Sequence, residues 1–304
     1  MRIIVTGGAG FIASNIVDGL VAAGHQVAVV DSLVTGKRSN LNPRAEFHQL
    51  DIRSAECAEF IRSFRPDFVD HHAAQIDVRK SVADPAFDAQ TNVVGMINVI
   101  QASLEAGVKK MVFSSSGGAM YGEQEIFPAP ESHPCRPASP YGLTKQIGEL
   151  YLEWYARTYG LKYVALRYAN IYGPRQDPLG EAGVVAIFTG RMLEGKSVTI
   201  FGDGGQTRDF VFVGDVVRAN MAALESGHTG SVNIGTGMET SVNEVYRVLA
   251  EATGYRAPAI YEPQRPGEQR RSVIDPAHAV NAIGWRPQVG FAEGIKRTVA
   301  WARG

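Results

Sequence analysis

The sequence predicts an α/β protein built on a doubly wound parallel sheet with a second, smaller α/β lobe, and three observations carry that expectation. Short β-branched runs alternate with helical patterns through the first half, as in "RIIVT", "QVAVVD", "FVDHHA" and "KKMVFSSS". A glycine-rich turn, "TGGAGF", follows the first run at once and opens a helical pattern. Further on, Tyr141 and Lys145 stand one helical turn apart, behind a strand that ends in three serines.

A chain of 304 residues is long enough for two lobes sharing a core, and 45% apolar with 20% charged residues is the balance of an ordinary globular protein. The net charge of -1 leaves no basic excess for nucleic-acid phosphates, and no Lys/Arg run addresses anionic lipid. No apolar run reaches the roughly 18–20 residues of a membrane span. Two cysteines, Cys57 and Cys135, without CxxC spacing suggest reduced thiols, neither a disulfide framework nor a metal site. The expectation is a cytoplasmic protein with a small-molecule partner, no nucleic acid, no membrane and no metal.

Taken in order, "RIIVT" is a strand, a helix runs from about Ser14 to Ala23, and "QVAVVD", "EFHQLD" and "FVDHHA" are further strands. A helix near Gln90–Ala106 precedes "KKMVFSSS", and this rhythm reads as βαβ units. Ile147, Leu150, Tyr151, Trp154, Tyr155 and Thr158 mark a helical face over Tyr141–Tyr159, with Gly160 as its C-cap. "YVALRYANIYGPRQ" is another strand, running into a Gly-Pro turn; beyond it arginine-bearing loops such as "GDGGQTRDFVFVGDV" and "YEPQRPGEQRRSV" dominate. Residues 1–169 with about 209–235 are expected to form the dinucleotide-binding domain, and about 170–208 with 236–304 the smaller lobe.

The glycine loop gives the fold its Rossmann character. Gly7 permits a tight turn, Gly10 lets backbone approach a pyrophosphate, Phe11 and Ile12 are expected as cofactor contacts beside it, and Ala13 takes the third small position. Asp31 ends the next strand, where a carboxylate accepts from ribose hydroxyls and repels a 2′-phosphate, so NAD is expected over NADP. Asp51 and Ile52 end the third strand beside an adenine edge, and Ala73 and Ala74 end the fourth where backbone must come close to the cofactor.

Tyr141 and Lys145 project from one helix face. A tyrosine starts near pKa ~10, and an adjacent ammonium together with a cationic nicotinamide favours its phenolate, which makes it a usable proton acceptor. The strand-end serines either cap a turn or orient the substrate oxygen, and Gly117-Gly118 beside them suggests a close approach to the backbone.

Together "TGGAGFIAS", "SSSGGAMYG", "SPYGLTK" and "LRYANIYGPRQ" resemble the nucleotide-sugar epimerase branch of the extended short-chain dehydrogenase/reductase family over essentially the whole chain. The resemblance implies NAD-dependent 4-epimerisation of a UDP-hexose through a transient 4-keto sugar, with Tyr141 as base, Lys145 on the nicotinamide ribose, and Ser116, or failing it Ser115, on the reacting oxygen. It also implies Asn92 and Tyr168 as cofactor contacts, and a UDP-sugar site made of Asn170, Val185, Phe201, Arg208, Arg265, Glu268 and Ser272. A homodimer through a four-helix bundle, from helices at about 87–106 and 141–159, is implied as well.

The chain departs from the family pattern in places. Ala13 replaces the usual third glycine, Ile76 stands where some relatives carry a lysine, and Ser272 is a small residue where a bulky aromatic can occur beside the sugar's 2-substituent. Gly117 and Gly118 stand where nucleotide-sugar dehydratases carry an Asp-Glu pair, which disfavours elimination. A uronate 4-epimerase and a non-catalytic NAD-binding sensor remain as alternatives.

Overall fold

The computed structural model describes residues 1–178, 183–264 and 269–304. Its strands are β1 (Arg2–Thr6), β2 (Gln26–Val30), β3 (Glu46–His48), β4 (Phe68–His71), β5 (Lys110–Ser116), β6 (Tyr163–Tyr168), β7 (Asn170–Tyr172), β8 (Thr199–Phe201), β9 (Thr207–Arg208), β10 (Phe210–Phe212), β11 (Gly230–Ile234), β12 (Thr240–Ser241), β13 (Ile260–Glu262) and β14 (Arg271–Ser272). The helices are α1 (Phe11–Ala22), α2 (Ala55–Phe64), α3 (Val78–Ala83), α4 (Pro85–Ala89), α5 (Gly95–Glu105), α6 (Gly117–Met120), α7 (Pro140–Tyr159), α8 (Val184–Leu193), α9 (Val213–Glu225), α10 (Val242–Thr253), α11 (Ala277–Ile283) and α12 (Phe291–Ala302).

Seven strands form one sheet in the order β11-β6-β5-β4-β1-β2-β3, all parallel. Alternation along β1 divides the core. Ile3 and Val5 pack with α1, α9 and α11 on one face, while Ile4 packs with α2, α5 and α7 on the other. The chain winds outward from β1 through β2 and β3, then returns to β4 on the other side, so a crevice opens between β1 and β4 at the carboxyl edge. The register brings the strand ends level there: Thr6 opposite Val30 and His71, His71 opposite Phe113, and Ser116 opposite Tyr168.

Several expectations shift. Helix α1 begins at Phe11, not Ser14, because Gly10 already serves as its N-cap. The segment before β5 is helical from Pro85, and its α-helical turns are interrupted by a π-helical turn at Gln90–Val94. The run "YVALRYANIYG" breaks at Ala169, whose N–H still bonds Ile234, and β7 leaves the large sheet to pair with β10. Helix α7 and its left-handed Gly160 cap stand as expected. Most of its apolar stripe does not face the core: Leu150, Tyr151 and Trp154 are exposed, while Gly142, Thr144, Lys145, Gly148 and Glu149 are buried together with Leu152 and Tyr155.

The second half adds small sheets, β10-β7, β12-β9-β14 and β13-β8, around a third core made by Phe188, Val245, Leu249 and Ile295 with Tyr172 and Phe212. Helix α11 belongs spatially with the large sheet, since Ala279, Ile283 and Trp285 join its core. Trp285 Nε1 donates to the Asp215 carbonyl at 2.9 Å, and the N–H groups of Gln288 and Val289 donate to the buried Asp215 carboxylate.

Candidate active site

The glycine loop is shaped by what it must avoid. Gly7 lies at φ +70° with the Ala73 backbone so close that a Cβ would sit 2.8 Å from its nitrogen, and its own N–H reaches Val30 O at 2.7 Å. Helix α1 then starts with no side-chain cap and no acidic residue in its first turn, which leaves its positive end to an anion. Phe11 packs toward the smaller core and Ile12 toward the larger one, so both brace the helix start.

Asp31 follows β2 and is nearly buried. Its carboxylate accepts from Ala9 N at 3.0 Å and Leu33 N at 2.8 Å, which fixes the loop and leaves further lone pairs toward a ribose. Asp51 is paired with Arg53, whose guanidinium holds the carboxyl below its usual range, and Ile52 is buried. Ala73 donates to Thr6 Oγ1 at 3.2 Å, and Ala74 follows in the half-buried segment that leaves the strand end.

Two expected cofactor contacts are committed elsewhere. The Asn92 amide donates to Gln75 O, Asp88 and Thr144 and accepts from Gln75 N, all inside a buried cluster. Tyr168 exchanges hydrogen bonds with Asn220 and stacks near His72, which is itself 2.9 Å from the buried Asp70. Both side chains therefore brace the floor of the crevice.

At the end of β5 the alternation of the strand separates the two serine candidates. Ser115 is buried and donates to Glu149, which also binds Arg167 in a fork and accepts from Ser231. Ser116 is half-buried on the opposite face and its oxygen caps α6 at Ala119 N, 3.3 Å away. Of the two, Ser116 is the one whose hydroxyl proton is not given to a buried carboxylate.

Helix α7 delivers Tyr141 and Lys145 because Ser139 caps it and Pro140 starts it. Lys145 is buried, donates to Ser114 O at 2.7 Å, and lies 5.0 Å from the Phe113 ring centre and 5.7 Å from that of Tyr141. Burial lowers its pKa to about 8, while Asp88 and Glu149 push upward. The Tyr141 phenol is pushed up, by burial and then by Asp88, in contrast to the sequence expectation of a lowered value. The reason is geometric: the ammonium lies over the ring and is spent on a carbonyl.

On the sugar side, Gly118 opens toward Ser272 and Asn170, whose side-chain oxygens would lie 3.9 and 4.0 Å from a Cβ there. Ser272 is buried in β14, and Asn170 begins β7. Arg208 is half-buried in β9, with Nη1 donating to Thr207 O. A separate cavity of about 510 Å³ is lined by Val184, Phe188, Arg191, Phe201, Gln206 and Glu262, among others. Phe201 is on its wall. Val185 is a correction: it is 1% exposed in the smaller core, and helix α8 presents Val184 instead. Arg265 and Glu268 lie outside the described residues.

Sequence reading missed Asp88, Glu149, Gln206 and Arg191. The acidic pair sits on helix faces that touch only in three dimensions, and no local spacing announces it.

These features are those of a dinucleotide-binding α/β protein with a serine, a tyrosine and a lysine gathered at the carboxyl edge of its sheet. A model of the NAD dependent epimerase/dehydratase family matches residues 3–235, and the chain belongs to that family. A putative UDP-glucose 4-epimerase of Methanocaldococcus jannaschii is 50% identical, covering 99% of this chain and 98% of its own. The UDP-glucose 4-epimerase of Thermotoga maritima, solved with UDP-glucose, superposes with a TM-score of 0.97 at 52% identity, covering 100% of this chain and 99% of that one. The Thermus thermophilus UDP-glucose 4-epimerase, solved with NAD, gives 0.94 at 48% identity with the same coverage.

Proposed function

We propose that the protein is an NAD-dependent UDP-glucose 4-epimerase. The carrying observation is the junction at which the Tyr141/Lys145 helix is locked to the Ser116 strand while Gly118 opens toward Asn170 and Ser272. The residues of the crevice fit the cofactor: a Gly7 turn that a Cβ would fill, an uncapped helix start, and Asp31 at the ribose position. NAD⁺, when bound, supplies a reversible hydride acceptor and a positive charge.

The protein's own residues then divide the work. Tyr141 takes the proton of the sugar 4-hydroxyl, and Ser116 holds the same oxygen. Lys145 and the cofactor charge offset the burial that disfavours the phenolate. With Gly117 and Gly118 beside the serine, no acid-base pair is there to eliminate water, so the 4-keto sugar is reduced again on its other face. The UDP moiety is held by Asn170 and Arg208 on the diphosphate side and by the Phe201 cavity at the base, and Arg265 and Glu268 are proposed to complete that site.

Ser272 leaves room for an N-acetyl group, so UDP-N-acetylglucosamine is accepted as well. Leu143, Leu150 and Trp154 on α7 and Val94 beside α5 are exposed apolar groups suited to a homodimeric four-helix bundle. No helix among the described residues is long and apolar enough to cross a membrane, and the two cysteines are unpaired, which supports a cytoplasmic setting.

Proton NMR of mixtures with UDP-galactose, UDP-N-acetylglucosamine and UDP-glucuronate in turn, with catalytic NAD⁺, tests the reading. Interconversion of a 4-epimer pair without accumulating NADH is expected for the first two. A stable 4-keto product, stoichiometric NADH, or turnover of UDP-glucuronate alone overturns it.

A further inference from the structure

Beside the proposed catalytic couple lies a buried hydrogen-bonded cluster built around one carboxylate. Asp88 of α4 is 0% exposed, and its carboxylate accepts from Gln75 Nε2 at 2.8 Å, Asn92 Nδ2 at 3.1 Å and Thr144 Oγ1 at 2.9 Å. Thr144 precedes Lys145 on α7, and the π-helical turn Gln90–Val94 is what carries Asn92 into the cluster. Hydrogen bonds donated to a carboxylate, and a cation near it, both favour its charged form inside a protein.

We propose that Asp88 is the fixed counter-charge of the Tyr141/Lys145 couple, a positioning residue that keeps Lys145 cationic while Tyr141 gains and releases the substrate proton. The inference rests on the epimerase reading and deepens it. The groups facing Lys145 support it element by element. Strand β4 offers His71, which burial and the Lys145 charge hold neutral, and β5 offers only the Ser114 carbonyl and the Phe113 ring. Helix α7 itself offers Tyr141 and Glu149, and Glu149 is neutralised by the Arg167 fork. Among the described residues Asp88 and the Arg167-paired Glu149 are the negative groups that raise the Lys145 pKa, and Asp88, the larger influence of the two, also raises that of Tyr141.

The same charge therefore acts in two directions. It holds the proton on Lys145, which the phenolate needs, and it opposes the phenolate, which keeps the tyrosine protonated until substrate and cofactor are in place. Removing the charge without the shape should move both ionisations to lower pH together. Asp88→Asn permits that separation. An Asn Oδ1 can still accept from Gln75 and Asn92, and its Nδ2 can donate to Thr144, whose hydroxyl already has Tyr141 O as an alternative acceptor at 3.0 Å.

The test compares NAD-loaded wild type, D88N and Thr144→Val in two ways: the pH profile of kcat/KM for UDP-galactose, and the ε-carbon NMR titration of Lys145, assigned with K145R. In D88N both limbs of the profile and the Lys145 midpoint are expected to fall by on the order of one pH unit. T144V, which loses a bond and keeps the charge, should lower kcat without moving the limbs. A D88N profile and Lys145 titration that superimpose on wild type overturn the inference, even where kcat falls. Should D88N not fold, wild type alone decides, because a Lys145 already neutral at the pH optimum is incompatible with the proposal. Wild type inert on every UDP-sugar would instead sink the epimerase reading, leaving the Lys145 titration to judge Asp88 separately.

Discussion

The two neighbouring hydroxyls at the end of β5 show how much one residue of register decides. Ser115 points into a buried network with Glu149, Arg167 and Ser231, and Ser116, on the other face of the strand, is half-buried and caps α6. Ser116→Ala should lower kcat by about 10²-fold, within the range of a positioned proton-transfer group, with little change in thermal midpoint. Ser115→Ala should do the reverse, costing about 1 kcal/mol of stability for the lost bond to Glu149 while kcat stays within a few-fold of wild type. Steady-state kinetics beside urea unfolding separate the two; a larger loss of kcat in the Ser115 variant would reverse the assignment. Sequence alone could order these serines only by family spacing, because both are small, polar and adjacent. It also recognised Gly7 and Asp31 for reasons the structure bears out locally, since a left-handed turn and a strand-end carboxylate are properties of single positions. Asn92 was legible as a residue and illegible as a contact, because its partners come from three separate segments.

Among the elements, α7 is the instructive case. Its apolar periodicity identifies a helix correctly, yet Leu150, Tyr151 and Trp154 of the stripe so found are turned outward and only Tyr155 is buried. The inward face is polar or small in its first half, with Gly142, Thr144, Lys145, Gly148 and Glu149, where it carries the site and where β5 and Met96 press against it, and apolar in its second half, with Leu152 and Tyr155 in the core. Periodicity reports the more apolar face, and in α7 that face is the one proposed to meet a second copy of the chain. Replacing Leu150 and Trp154 together by glutamate should accordingly convert a dimer to a monomer by light scattering at micromolar concentration, with the fold retained by circular dichroism. A monomeric wild type, or a dimer that survives the double change, would refute the bundle. The strand "YVALRYANIYG" failed as a single element for a related reason: its hydrophobicity is continuous, and the break at Ala169 is imposed by two different sheets claiming its halves.

For the whole molecule, acid is the condition under which buried ionisable groups report on folding. His71 is buried with Thr6 Oγ1 2.8 Å from its Nδ1, and burial, then the charge on Lys145, lowers its pKa from 6.5 to about 3. Between those values the unfolded chain binds the proton and the native one does not, so stability falls as pH drops below about 6.5. The His71 contribution between there and pH 5 is about 1.5 to 2 kcal/mol. Urea unfolding at both pH values should show that much less pH dependence in His71→Asn than in wild type; equal dependence would place the acid sensitivity elsewhere. Such measurements presume that the chain unfolds as one body, and the Asp215 carboxylate argues that it does. That group is 0% exposed at the start of α9, beneath the large sheet, and its backbone donors are Gln288 and Val289, some seventy residues on. During synthesis that carboxylate can pair at once with Arg218, one turn along α9, but its backbone donors arrive only with the segment after Trp285. The last part of the chain to be made is thus the part that closes over a helix of the large sheet.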